Sequence, residues 1–483
     1  MNHKQLEKYL VKADKVPKSL KVKKLKTANT VINKNTEIDQ VWLDANPGPY
    51  AVQGGSETNI IKITFLENLN VKQDTYFMIE TDYVNINGKF LGFTLNFENI
   101  KDYVGLVQNK KSSNIIVENI RVNGKNSSLL ENSGWILGSN FGTEAENNKV
   151  SNCRNYLPIS IFSGGIVGVR SKIHAIGCIN NGEFKLDNSK LCRSGGIAAL
   201  FVSGKIEDCI NNSKLEGGGG MVYFTNKDLD IINCKNYGKL NNICAGIIGF
   251  VFGDKSKVNI LNCLNDGDLD NRSYGMIIGI EDNAQVLIKN CINWGNCFGY
   301  TASGIMQTTF FSNPEASIEI TGCTNYGNLN REFNSGILFS STYNVNINNC
   351  VNYGQILNDS SSGIILSTYK PKNIKVENCT NHGNILGKNS GGISTENAII
   401  KINKCVNNGT VTGTGSGGIY GAGTAKGAIA ENCVNNGVVN GVNAGGIFGA
   451  WSQGTAKSCK NGGKLVGLNA QPILGYKSTG KIE

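Results

Sequence analysis

Three kinds of residue in this sequence could do chemistry: thiols, clustered carboxylates and glycine-rich loops. Fifteen cysteines could form disulfides, bind metal or react. Gly413-x-Gly415-x-x-Gly418 matches a dinucleotide-binding fingerprint, and Gly475-x4-Gly480-Lys481 approaches a phosphate loop. Asp266, Asp268 and Asp270 in "NDGDLDN" are the densest carboxylates, a set that could hold calcium or work as acid and base. Each signal weakens in context. The fingerprint follows no βα pattern and opens no helix. Ile482 stands where a phosphate loop needs Ser or Thr. No Cys pair has zinc spacing. Histidine occurs only at His3, His174 and His382, so the paired Asp and Gly-His-Gly set of polygalacturonase-like enzymes is missing. No cofactor is implied.

The elements that carry these residues explain most of them. Twelve cysteines form a series: Cys153, Cys178, Cys209, Cys234, Cys263, Cys291, Cys323, Cys350, Cys379, Cys405, Cys433 and Cys459, at a mean spacing of about 28 residues. Two residues after each comes Asn, from Asn155 to Asn461; four after comes Gly in ten units, Leu157 and Ser213 excepted. Six after comes a core-type residue, such as Leu269, Cys297, Leu329 or Val411. A Gly-Ile or Gly-Met pair follows, as at Gly275-Met276 and Gly418-Ile419. Short alternating runs separated by Asn and Gly predict strands and turns rather than helices.

The expected fold is therefore all-β: a right-handed parallel β-helix with about 28 residues and three short strands per coil. Equivalent residues stack one strand spacing apart. The cysteines then form a column of reduced thiols in the core, since in-register side chains point the same way and make poor disulfides. The Asn column is read as turn residues tolerant of left-handed backbone, able to form an amide ladder; the glycines are read as corners. A lone coil buries too little apolar surface to offset ordering its residues, so stability must come from the stack. On this reading "Cys405-VNNGTVTGTGSGGIY-Gly421" is one coil, and Asp266–Asp270 a solvated turn around Leu269.

The chain divides into a basic N-terminal arm (1–30), a cap (31–58), irregular first coils (59–150), the regular array with twelve Cys-x-Asn repeats (151–470) and a C-terminal cap or tail (471–483). The net charge is +10, and nine lysines fall within the first 26 residues, so the body is nearly neutral. No signal peptide and no stretch of membrane-spanning length is evident, so the expectation is a cytoplasmic product without a membrane span.

The run "SGWILGSNFGTEAENNKVSNCRNY…SGGIVG" (133–168) and units of the "NCVNNGVVNGVNAGGIFG" type (432–449) resemble the β-helix repeat proteins of large (giant) DNA viruses of amoebae and algae. They are similar, less closely, to the GLUG-type repeats of bacterial surface proteins. The resemblance covers roughly residues 60–470. It implies a virion or host-interface component, located in the virion.

Two features lie outside the repeat logic. The variable position after the Asn column holds Trp294, Tyr326, Tyr353 and His382 in four successive coils, a stripe that could stack on a glycan or on itself. The arm residues Lys18, Lys21, Lys23, Lys24 and Lys26 are the candidate assembly anchor; nucleic acid or anionic lipid could be reached only through this arm. The function expected is a non-enzymatic structural virion protein, a minor capsid or surface component, partnered by other structural proteins or by copies of itself. The alternatives are a glycan-binding attachment protein and a polysaccharide-degrading enzyme.

Overall fold

The computed structural model describes residues 25–89, 92–186, 191–280, 283–308, 316–340, 344–367, 374–395 and 399–483. The chain winds into a parallel β-solenoid of about 16 turns, with roughly 27 residues per turn. Three faces carry sheets whose strands, among the described residues, pair only in parallel with the equivalent strand of a neighbouring coil. One sheet runs from Thr36–Ile38 to Lys481–Ile482 and one from Leu69–Val71 to Lys460–Asn461. The third begins at Thr30–Ile32, is carried through single bridges at Val107, Leu137, Val167 and Ala198 to Ile365–Ser367, and continues as bridges through Ser394, Tyr420 and Phe448 to Leu474. A fourth, thinner ladder of bridges follows the residue six after each cysteine, as in Leu269↔Cys297↔Leu329↔Ile356. Among the described residues the one α-helix is Gln40–Ala45, capped by Asp39, whose side chain accepts from the Trp42 N–H at 2.7 Å. Coil pairing already starts at Thr30, the last residue of the expected arm, and the 31–58 segment expected as a cap contributes strands to two of the sheets together with the helix.

The buried apolar residues fall into three clusters, a local one around Tyr223, Phe250 and Tyr274 and two that run the length of the repeat. The larger takes the cysteine column, the aliphatics three residues before it and the Gly-Ile strands. The smaller takes the residues six after each cysteine, together with Cys244 and Cys297. In chain order the Asn column stands between them, fully buried from Asn155 to Asn435. Each Asn Nδ2 donates to the Oδ1 of the next coil's Asn at 2.6–2.9 Å, eleven bonds in series. The same nitrogen donates to the carbonyl two residues on, for example Asn325 to Gly327 at 2.8 Å. Both amide protons and the oxygen are thereby satisfied, which is what lets a polar column stand fully buried.

This corrects the turn reading of that column. The Asn two after each cysteine lies in a strand, not in left-handed backbone. The left-handed residue is the one before the cysteine: φ is 54° at Asn262 and Asn290, 53° at Asn349 and Asn378, and 60–64° where Gly177 and Gly322 replace Asn. The glycines are corrected too. Those four residues after the cysteine are not at positive φ; a β-carbon on Gly295, Gly327 or Gly354 would lie 1.9–2.0 Å from the carbonyl oxygen of the equivalent glycine one coil earlier. The glycines of the Gly-Ile pairs leave room for the amide ladder: a β-carbon on Gly304, Gly336 or Gly418 would sit 2.4–2.7 Å from an Asn Oδ1. Close coil stacking, not backbone freedom, fixes both columns.

Candidate functional site

The nucleotide-like glycines resolve into three separate structural jobs. Gly413 is pressed against Gly387, with 1.9 Å from its β-position to that carbonyl oxygen. Gly415, at φ 71°, takes the left-handed position that Asn389 and Asn443 fill in adjacent coils. Gly418 clears space for the Asn435 amide. Gly480, in the second glycine motif, leads into the strand Lys481–Ile482, which pairs with Thr455–Lys457.

The thiols are held as a column. All fifteen cysteines are free, and all but Cys459 are buried. Each column thiol donates to the carbonyl two residues before it and reaches one a coil earlier, as Cys263 does to Leu261 (3.4 Å) and Ile231 (3.5 Å). Burial pushes the thiols of Cys153, Cys209, Cys263 and Cys323 well above their ordinary range. The neighbouring Cys153 and Cys209 thiols pull Cys178 the other way; with these side chains fully buried, desolvation governs the column. Off the column, burial raises Cys192, and raises Cys244 to about 11.

The acidic turn is tied to the backbone. Asp268 accepts from the Asn296 N–H at 3.0 Å and Asp270 from the Asn271 N–H at 2.9 Å. Asp266 is exposed, in the column that holds aromatic rings in the next coils. Among the described residues no three or more His, Cys, Asp or Glu side chains converge as a metal site would require.

The aromatic stripe is brought together. Trp294 and Tyr326 stack with centroids 4.1 Å apart at 7°, Tyr326 and Tyr353 at 4.9 Å and 5°, Tyr353 and His382 at 4.7 Å and 6°. The strands set this spacing, because each ring hangs from the residue following a ladder Asn: Asn293, Asn325, Asn352 and Asn381 pair in register. The rings are half exposed, at 51% for Trp294, 37% for Tyr326 and 45% for Tyr353. Their faces are taken by one another, so solvent meets mainly their edges, the outer face of Trp294 and, beyond His382, the Asn408 amide 3.5 Å from its Nδ1. Tyr237 is separated from this stack by the coil carrying Asp266.

Sequence reasoning missed the stripe beside it. The residue after each cysteine also points outward and is half-buried: Leu264, Ile292, Thr324, Val351, Thr380, Val406 and Val434. The signal was present as a β-branched or aliphatic residue between Cys and Asn, two residues before each ring and so on the same side of the strand. Phe298 and Tyr300 are further exposed aromatics in the Cys291 coil, and the Arg331 guanidinium lies 5.4 Å from the Tyr300 ring.

Of the arm lysines, Lys18, Lys21, Lys23 and Lys24 lie outside the described residues. Lys26 pairs with Asp74 at 2.6 Å, and that carboxylate raises its pKa. Nearby, a pocket of about 290 Å³ opens among Leu25, Met78, Val104 and Leu130, with Gln108 and Lys110 as polar lining.

Comparison with family models, curated proteins and solved structures returns no match. Among the described residues no helix is long and apolar enough to cross a membrane.

Proposed function

We propose that this chain is a rigid, non-enzymatic structural element of a large assembly, in line with the virion component that its repeat implies. The observation that supports this reading is the unbroken axial bonding of the array. Thiols, amides, glycines and aliphatics each continue from coil to coil, and the amide column alone joins twelve coils through eleven buried hydrogen bonds. Such a stack resists bending because any hinge would orphan buried donors and acceptors. At ~4.8 Å per coil, about 16 turns give a rod roughly 75 Å long. The basic arm then supplies the attachment, and the flat faces supply the contacts.

Purified particles test this. Mass spectrometry should find the protein at a fixed stoichiometry, with the lysine arm cross-linked to neighbouring structural proteins. Loss of the protein on a salt wash that leaves the particle intact would overturn the reading.

The exposed rings favour one second reading, a glycan-binding attachment protein. Its test is sugar binding that disappears in the double variant Trp294→Ala, Tyr326→Ala. A flat binding isotherm on glycan arrays removes it.

A further inference from the structure

We infer that the face bearing the aromatic stripe pairs with a second copy of this chain, the two rods side by side with their axes parallel. The inference extends the structural reading by naming its first partner.

Two neighbouring columns make the face. One is low and apolar: Ile292, Thr324, Val351, Thr380, Val406 and Val434. The other is tall over four of those coils: Trp294, Tyr326, Tyr353 and His382, followed by Asn408 and Asn436. Over these six coils the pair of columns carries no Asp, Glu, Lys or Arg. Charge returns at Asp266 on one side and at Lys460 on the other. Charges that end an apolar sheet face limit how far a partner can extend along it.

A ridge beside a trough is complementary to itself under one operation. A two-fold axis parallel to the rod lays each copy's tall column on the other's low column, coil for coil. The isologous contact closes with two copies. The alternative two-fold, across the rod, sets ridge on ridge and leaves the troughs empty. The parallel arrangement also places the exposed Lys235 ammonium at the level of the partner's Tyr237 ring, and the reverse, where cation–π attraction operates. Stacking has closed most of the ring faces to a sugar, whereas the outward edges and flat aliphatics suit another sheet face.

Size sets the strength. Six coils at ~4.8 Å and two columns across give roughly 400 Å² per copy, about 800 Å² in all. That is below the ~1,200 Å² at which stable specific interfaces begin. The free chain should therefore pair weakly, with a Kd above about 1 µM, and be reinforced only where an assembly concentrates it.

Sedimentation of the full chain from about 1 to 300 µM should show a monomer–dimer equilibrium. Val351→Lys with Thr380→Lys should weaken it at least tenfold without shifting the melting temperature, because Lys235 and Lys460 already occupy this column in the same fold. Amine cross-linking of a ¹⁴N/¹⁵N mixture reads the geometry: intermolecular Lys235–Lys235 and Lys460–Lys460 links are expected. A monomer at 300 µM, a dimer indifferent to the two lysines, or intermolecular Lys235–Lys460 links would each overturn the inference. A monomer that binds glycan until the lysines are introduced would also overturn it and give the face to sugar. None of these outcomes touches particle stoichiometry, so the structural reading stands or falls separately.

Discussion

Replacing Asn325, in the middle of the amide column, tests what holds the rod together. Its Nδ2 donates to Gly327 O at 2.8 Å and to Asn352 Oδ1 at 2.7 Å, and its Oδ1 accepts from Asn293 Nδ2 at 2.8 Å. Removing the amide orphans one carbonyl, one amide oxygen and one amide proton in a fully buried site. At about 1–3 kcal/mol each, the loss is roughly 3–9 kcal/mol. Asn325→Ala vacates a small space lined by those three groups. A water there would have the two to four partners it needs, so Ala should fall near 3 kcal/mol. Asn325→Leu fills the space with hydrocarbon, excludes that water and should cost more, reversing the usual core rule that preserved volume is safer. Two controls bracket the effect. Asn461→Ala, in the half-exposed last rung, should cost about 1 kcal/mol or less, and Asn408→Ala, outward in the neighbouring column, about 0.5 or less. Urea unfolding followed by circular dichroism gives the ranking. A linear array need not unfold in one step, so hydrogen exchange at Asn293–Gly295 and Asn352–Gly354 should report the local loss. If Leu is tolerated as well as Ala, or if Asn325 costs no more than Asn461, the column does not carry the stack and the reasoning fails.

Three further outcomes are expected. Gly304→Ala should destabilise by about 1–3 kcal/mol by wedging a methyl 2.4 Å from Asn325 Oδ1 and 2.3 Å from Gly336 O, although its backbone is unstrained; a neutral result in thermal melts would show that the coils can part cheaply. Thiol titration of the native protein should find Cys459 first and the buried cysteines only on unfolding, when all fifteen react; rapid native labelling of Cys263 or Cys291 would contradict the dry column. Lys205, then His174, hold the Glu207 carboxyl below its ordinary range. A lowered folded-state pKa stabilises above the unfolded value near 4.3 and the gain is lost as pH falls through the folded one. Wild type should therefore exceed Glu207→Gln by under about 1 kcal/mol at pH 7, with the gap closing below about pH 4 in matched denaturation curves.

How much was legible in the chain differs between columns. The cysteine period, the core residue six positions on and the Gly-Ile strands were readable because each is a local pattern recurring at fixed spacing. Their parallel coil-to-coil pairing followed, since a coil of this size cannot bury its own faces. The Asn column was legible as an amide ladder, which the structure bears out, but its backbone was misassigned to a turn. Asn is common in left-handed turns, and only the register shows that the turn belongs to the residue before the cysteine while the Asn two after it points inward. Glycine was misassigned for the same reason: a sequence displays its backbone freedom, and only stacked coils display a contact of 1.9 Å.

The candidate site divides in the same way. Trp294, Tyr326, Tyr353 and His382 were found from their shared position relative to Cys and Asn. The low stripe from Ile292 to Val434 escaped because an aliphatic residue in a strand reads as core until its neighbours' directions are known. The repeat, and through it the fold, is written in the chain, because periodic side chains of one type can be satisfied together only by stacking in register. Only the stacked coils reveal that the Asn side chains point inward, that ring faces close on one another, and that a charge-free ridge and trough lie side by side. Those are distances between coils, set by residues about 27 positions apart, and no local pattern encodes them.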